Sequence, residues 1–405
     1  MKAFSFATGA VAALAVLAPF NPQTAQESPT WAKDLAPLVF ERCTPCHTEG
    51  GHAPFPIESY SDLARRKELV RQEVLSLEMP PCAVASDFGE FCIAKPLSDA
   101  HIVMFQEWLR NGAPEGEGAP KPPARTKGWR MGKPDMVLRP TSAPQLPLEG
   151  NPVWRALIID PKHTKPLRIS GFDIQPLAPQ TVRHALLAVV ADSNDKDQWT
   201  TNGTLDNSAK RLIGAWAPGY PAWRLPEGVS MVLQPGERLV VQVLLVPSGK
   251  VEEPQFDLGL YVSDGKHDLE PEWISMEVEK FAIAAFEELT LTMETTLAKD
   301  VRVISVLPEA RFFAYSVTVR TAPERKVLLQ TYKWNPYWIG NYAFAQPVAL
   351  KKGTKIVSEV TFENELHSLI NEGNRPRDVF SGPGIREEVC RTHLLVVGPS
   401  SAPER

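Results

Sequence analysis

The sequence predicts a multidomain protein in which a small all-α domain precedes two tandem all-β sandwiches. The chain has 405 residues, whereas an ordinary domain has about 100 to 200 residues. Helical periodicity is confined to residues 31–111, and β-rich apolar runs recur from residue 135 onward. Proline is frequent, with 38 residues against 25 glycines, which favours turn-rich β structure over long helical bundles.

The overall composition is that of a soluble globular protein. Hydrophobic residues make up 43% of the chain and charged residues 22%, which excludes both a disordered chain and a polytopic membrane protein. The formal net charge is −5 at pH 7. This balance gives no general electrostatic reason to bind nucleic acid or anionic lipid, so neither is an expected partner.

The N-terminal residues have the layout of a secretory signal peptide, which we place at residues 1–25. One lysine follows the initiating methionine, and residues 3–20 are apolar with many small side chains. The alternative is an uncleaved membrane anchor, but the apolar run is barely long enough and contains Pro19. The sequence therefore predicts a periplasmic or secreted protein whose mature chain has no membrane span.

A haem-attachment motif follows shortly after this leader. Cys43, Cys46 and His47 form the pattern Cys-x-x-Cys-His, in which two thiols bind haem vinyl groups and the histidine binds iron. A thioredoxin-like pair or half of a zinc site would need a βαβ pattern or a second cysteine pair, and neither is present. We therefore expect one haem c in a cytochrome c-like domain spanning residues 31–115.

Met79 is the predicted second axial ligand of the haem iron. It precedes two prolines, which hold an extended loop that could present the thioether rigidly. Met104 is an alternative, but it lies on an amphipathic helix where methionine is usually core. His52 is a second alternative, but it follows His47 too closely to reach the opposite face of the ring.

The remaining cysteines suggest a brace beside the methionine loop. Cys82 and Cys92 enclose a short polar segment, and a disulfide between them would stabilise that loop. Cys390 is then unpaired. Residues 116–134 are rich in proline and glycine and are predicted to be a linker.

Beyond the linker the apolar runs divide into two sets. We predict one β-sandwich over residues 135–275 and a second over residues 276–399, each from two sheets of about four strands.

Specific short motifs extend through nearly the whole mature chain. They are Cys43-Thr44-Pro45-Cys46-His47, Ala53-Pro54-Phe55-Pro56, Met79-Pro80-Pro81, Leu97-Ser98-Asp99, Gly112-Ala113-Pro114-Glu115-Gly116, Gly214-Ala215-Trp216-Ala217-Pro218-Gly219, Leu225-Pro226-Glu227-Gly228 and Pro247-Ser248-Gly249-Lys250. In these motifs the chain resembles the bacterial family of copper type II, ascorbate-dependent monooxygenase-like proteins with a fused cytochrome c. That family is similar to peptidylglycine and dopamine hydroxylating monooxygenases, so the resemblance implies two jelly-roll sandwiches with one copper on each.

The chain departs from this family at the implied copper ligands. Type II copper needs about three neutral imidazole or sulfur donors, and most of them are replaced here. His184 is the sole apparent remnant. The matching positions are Arg183 and His184 for a histidine pair, Leu244 for the third histidine, Glu309 and Arg311 for a Pro-His-x-His pair, and Val389 or Cys390 for the methionine.

These observations predict an exported haem c electron-transfer protein whose copper-depleted, monooxygenase-like part serves as a docking or binding region. Its expected partner is a redox protein or an exported assembly. Two alternatives stay open at this point. One is an active copper-dependent monooxygenase that receives electrons from its own haem, and the other is a non-redox subunit of an exported assembly.

Overall fold

The computed structural model of the chain describes residues 28–81, 84, 91, 96–118, 120–124, 128–190, 209–265, 268–366, 371 and 375–399. The predicted signal peptide over residues 1–25 lies outside the described residues. The predicted disulfide between Cys82 and Cys92 also lies outside them. No helix within the described ranges is long and apolar enough to cross a membrane.

Helical structure is restricted to the N-terminal quarter of the described chain. Polar side chains mark the helix starts: Thr30, Ser59 and Ser98 each accept a hydrogen bond from a backbone N–H of the first turn. Two residues after the last helix comes Gly112, whose φ of 83° lies in the left-handed region that few residues other than glycine adopt. The elements are a π-helical turn over Trp31–Leu35, α1 over Ala36–Arg42, α2 over Tyr60–Leu75 and α3 over Asp99–Arg110.

The rest of the described chain is built from short strands. They are β1 Met136–Leu138, β2 Val153–Ile159, β3 Leu167–Pro176, β4 Val182–Val190, β5 Ala209–Trp216, β6 Trp223–Arg224, β7 Met231–Leu233, β8 Arg238–Leu245, β9 Phe256–Val262, β10 Glu272–Glu277, β11 Ala282–Ile283, β12 Glu288–Thr296, β13 Val301–Glu309, β14 Ala314–Ala322, β15 Val327–Thr331, β16 Tyr342–Leu350, β17 Lys355–Glu363, β18 Val379–Phe380 and β19 Arg391–Val397.

Four small sheets carry most of these strands. The first has the order β1-β9-β3-β6 with β7 paired to β3, and the second has the order β2-β8-β4-β5. The third has the order β10-β19-β13-β16, and the fourth β12-β17-β14-β15. All pairings between these strands are antiparallel, and β11 pairs with β18 in a separate two-stranded ladder.

Buried apolar side chains join these sheets face to face. Phe172 and Leu187 belong to one core cluster, between the first and second sheets. Val317 and Phe362 belong to another, between the third and fourth. Each fully buried side chain of this size contributes about 1.5–3 kcal/mol to folding, so these faces hold the sheets together.

The predicted fold class, a small all-α cytochrome c domain followed by two tandem jelly-roll sandwiches, is wrong. The described chain is mostly β, a four-bladed arrangement of small sheets with only three short α-helices. The helices do not form a separate domain, because two described residues between α2 and α3 pair with strands. Val84 bridges to Thr331 and Phe91 to Phe344, and the Phe91 and Phe344 rings stack with centroids 5.1 Å apart.

The two sets of strands are not independent units either. Ile304 and Leu395, from the third sheet, belong to the core cluster of the first and second sheets. Leu186 and Ala215, from the second sheet, belong to the core cluster of the third and fourth. Sequence periodicity indicates which side chains of a strand share a face, but not which sheet that face meets.

Candidate functional site

The Cys-x-x-Cys-His segment continues directly from α1 as a tight turn. Cys43 caps α1, and its carbonyl accepts hydrogen bonds from the backbone N–H of Cys46 at 3.1 Å and of His47 at 2.9 Å. The buried Thr44 hydroxyl fixes the turn by donating to the carbonyl of Val39 at 3.2 Å. The structure therefore brings both thiols and the imidazole onto one helical turn, and no disulfide joins Cys43 to Cys46.

His47 is oriented by the loop that follows it. Its Nδ1 lies 3.0 Å from the carbonyl oxygen of Phe55, and the two rings lie 5.0 Å apart. Because a carbonyl can only accept, Nδ1 carries the proton and Nε2 keeps its lone pair. Burial lowers the pKa of His47, which favours the neutral ring. A metal ligand needs this tautomer, and the bond from the other ring nitrogen fixes its orientation.

The three candidates for a second axial ligand have different environments. Met79 follows α2 and is 39% exposed, so its thioether is not part of the core. Met104 packs against the buried cluster of the helices. His52 uses Nδ1 in a 3.0 Å contact with the carbonyl oxygen of Pro179. Met79 thus remains the candidate whose donor atom is not already committed to packing or to the sheets.

The loop after His47 is docked on the start of β4. Arg183 Nη1 donates to the carbonyl of His52 at 3.2 Å, and Gln180 Nε2 donates to the carbonyl of Ala53 at 3.3 Å. The His52 and Trp216 rings lie 5.7 Å apart. Burial lowers the pKa of Arg183, but the guanidinium faces a carbonyl and not a carboxylate. Sequence reasoning missed this contact, which joins residues 131 positions apart.

The Cys-x-x-Cys-His turn also lies close to the segment that follows β5 of the second sheet. A Cβ added at Gly219, which follows β5, would lie 3.0 Å from Cys46 Sγ. Gly219 also has a φ of 77°, so the position is restricted to glycine both by backbone conformation and by this close approach. Farther along, Lys333 Nζ forms an ion pair with Glu78 at 2.8 Å, beside Met79.

Four of the residues at the implied copper positions line one cavity, and Arg183 and Leu244 are not among them. The cavity has a volume of about 360 Å³ and lies between the second and third sheets. His184, Glu309, Arg311 and Val389 line it. Cys390 does not, because it is 1% exposed and packs its sulfur 4.0 Å from that of Met293.

This donor set does not fit type II copper. Within the described ranges, no group of three or more histidine, cysteine, aspartate or glutamate side chains is arranged to hold a metal ion. The cavity offers one imidazole together with carboxylates and guanidinium groups. A guanidinium has no lone pair to donate, and Arg311 occupies the place where the family resemblance expects a ligand.

Charges around the cavity are strongly perturbed by burial. Burial lowers the pKa of His184 to about 3, against the attraction of Glu309, so the ring is neutral. Burial alone would raise the pKa of Glu309. The hydrogen bond from His393 and the positive charge of Arg391 outweigh this effect and hold the pKa of Glu309 at about 2. Burial raises the pKa of Glu388 to about 7, although backbone N–H groups of Phe313 and Val389 favour its charged form.

One row of side chains on the second sheet was not predicted. Trp154 on β2 and His184 on β4 are both register partners of Leu244 on β8, so the three lie side by side across the sheet. The Trp154 and His184 rings meet at 66° with centroids 4.8 Å apart. The signal in the sequence was a polar residue inside the apolar strand Val182–Val190.

Comparisons with known proteins do not assign the chain to a family. No family model matches it, and no curated protein matches it. The solved structures that match include PNGF-II in a P21 crystal form, at 9% identity and a TM-score of 0.22. The match covers 64% of this chain and 59% of that one, so the chain spans about three fifths of its length.

Viral capsid structures are matched at a similar level. A D431N mutant VP2 protein of infectious bursal disease virus matches at 9% identity and a TM-score of 0.16, covering 68% of this chain and 78% of that one. The T13 particle of the same virus matches at 10% identity and a TM-score of 0.17, covering 65% and 77%. Similarities of this size carry no conclusion about function.

Proposed function

We propose that this chain binds one haem c covalently through Cys43 and Cys46, with His47 as an axial ligand, and that it transfers single electrons. The observation that carries the proposal is the 3.0 Å contact between His47 Nδ1 and the Phe55 carbonyl. It leaves Nε2 with a lone pair beside two thiols that no disulfide joins.

The protein's own side chains would perform three tasks at this site. Cys43 and Cys46 would hold the ring covalently through their sulfurs. His47 keeps a fixed tautomer, which supports ligation without a change in protonation. Met79 would supply a thioether as a second ligand, which would raise the reduction potential relative to a second histidine. When bound, the haem supplies a one-electron iron couple.

The β-sheet part acts in this proposal as a docking or binding region. Its support is the contact between the motif loop and β4, where Arg183 and Gln180 donate to backbone carbonyls of that loop. A turn held on the sheets in this way keeps a redox centre at a fixed distance from whatever the sheets bind. The same proposal includes export of the chain to the periplasm or beyond. Its partner would be a redox protein or an exported assembly.

Elemental analysis of the exported protein tests this function. After copper loading and removal of loose metal, we expect about one iron per chain and essentially no copper. The haem should also be reduced and reoxidised reversibly in a potentiometric titration. About two coppers per iron would contradict the docking role and favour a copper monooxygenase. A haem that accepts no electrons would contradict electron transfer.

Substitution of Met79 tests the second axial ligand. We expect Met79→Ala to remove the weak far-red absorption that a thioether gives to ferric haem and to lower the reduction potential, because the iron loses a soft donor. Visible spectroscopy and potentiometry measure both changes. Met104→Leu is the matched control and should leave the spectrum unchanged, since Met104 packs in the helical core. An unchanged spectrum in Met79→Ala would move the assignment to Met104 or His52.

A further inference from the structure

The cavity between the second and third sheets has unsatisfied polar groups in its wall. His184 is fully buried, and Trp154 is 8% exposed. The indole nitrogen of Trp154 has no hydrogen-bond partner among the described residues. The ring nitrogens of His184 form no hydrogen bond of regular geometry there, although the Tyr337 backbone lies close enough to raise the pKa of the ring against burial. Buried polar groups without partners are rare in native proteins and cost about 1–3 kcal/mol each. Two such groups side by side on one wall indicate that a ligand completes them.

Arg311 adds a cation to the same wall. It is 6% exposed, and its guanidinium carbon lies 5.8 Å from the centre of the Trp154 ring. Its Nη1 donates to three backbone carbonyls of the loop after β18, but no described carboxylate lies within 4.0 Å of the guanidinium. All of the side-chain hydrogen bonds that Arg311 forms with the described residues come from Nη1, and none comes from Nε or Nη2. Glu388, Glu309 and Glu387 attract this cation from a longer distance and oppose the lowering of its pKa by burial. Nε and Nη2 remain available to an acceptor atom of a ligand.

Three of the four carboxylates of the wall are already engaged, and the fourth, Glu279, is exposed at the mouth. Glu309 accepts from His393 Nε2 at 3.0 Å and lies 3.7 Å from Arg391 Nη1. Glu388 accepts backbone N–H groups, including that of Phe313 at 3.0 Å. Glu277 forms an ion pair with Arg391 at 2.6 Å. Among the buried groups of the wall, unsatisfied donors therefore outnumber unsatisfied acceptors, which favours an occupant that accepts hydrogen bonds.

The remaining wall is apolar and the cavity reaches the surface. Leu186 and Ile339 line it beside the Trp154 ring, and the exposed residues Glu279 and Pro383 lie at its mouth. A volume of about 360 Å³ falls within the range of small-ligand sites. We propose that this cavity binds a small organic carboxylate with an apolar body, its head group held by Arg311, Trp154 and His184. The inference does not depend on the haem.

Isothermal titration of the full-length protein with benzoate tests this site, and benzyl alcohol serves as the neutral analogue. We expect benzoate to bind at about millimolar affinity or tighter, and benzyl alcohol to bind at least about tenfold more weakly, because it lacks the charge that Arg311 neutralises. Trp154→Phe removes one donor and keeps the ring, so benzoate affinity should fall about fivefold to tenfold. His184→Phe should lower it similarly.

Trp334→Phe is the matched control. Trp334 is also 8% exposed with an unpartnered indole nitrogen, but it does not line the cavity. Its substitution should leave benzoate affinity unchanged. Equal affinity for benzoate and benzyl alcohol, no benzoate binding up to about 10 mM, or an equal loss in the Trp334 and Trp154 variants would each overturn the proposal.

Discussion

Replacing both Cys43 and Cys46 by alanine is expected to abolish covalent haem attachment completely. The two thiols lie on one turn that starts from the end of α1, and the described structure places no other thiol on that turn. Thioether formation requires a sulfur, so alanine leaves nothing to tether the ring. The effect is all or none, and mass spectrometry of the denatured protein measures it directly.

The same variant should also lose stability in the region around the motif. The helices have only a small core of their own, which includes Trp31, Leu35 and Trp108. A covalently held haem would add a large apolar surface to that core. We therefore expect the thermal midpoint of the double variant to fall. Cys390→Ala is the control, since Cys390 lies in a different core and should retain haem. Covalent haem in the double variant would refute the assignment.

Replacing Arg311 by methionine is expected to destabilise the folded protein by about 3–5 kcal/mol. The buried guanidinium donates through Nη1 to the carbonyl oxygens of Gly382, Gly384 and Glu387. Methionine fills much of the space but leaves those carbonyls unsatisfied. It also removes the cation that faces Glu388, and loss of one partner in a buried polar cluster typically costs this much.

Chemical denaturation measures the loss for Arg311→Met. Arg71→Met is the control, because Arg71 forms an exposed ion pair with Glu68 at 2.9 Å on α2, and such pairs contribute less than about 1 kcal/mol. A loss for Arg311→Met no larger than that of the control would contradict the role of Arg311 in holding the loop. Hydrogen exchange should also speed up at residues 382–388, where the freed carbonyls lie.

Some elements of the candidate site could be found from the sequence because they are local. Cys43, Cys46 and His47 lie within five positions, so their spacing alone leads to the proposal of haem attachment. The helix starts at Ser59 and Ser98 are local in the same sense, since a capping side chain bonds to the backbone of its own first turn. These features need no information about distant parts of the chain.

Other features depended on contacts that no local pattern encodes. Arg183 meets the His52 carbonyl across 131 positions, and Trp154 meets His184 only because both pair with Leu244 on β8. A change of one residue in strand register would turn each of these side chains to the opposite face of the sheet. The sequence suggested a lost copper site around His184. Only the strand register places the Trp154 ring beside His184 in the wall of the cavity.

The sequence by itself therefore determined the Cys-x-x-Cys-His spacing, the positions of the helices and the β-rich character of the rest. Tertiary structure decided how these parts are combined. Val84 and Phe91 pair with strands instead of completing a helical domain, and Ile304 packs in the core of the neighbouring pair of sheets. The physical reason is that burial of apolar surface is not directional: a hydrophobic face must be covered, but its pattern does not specify by what.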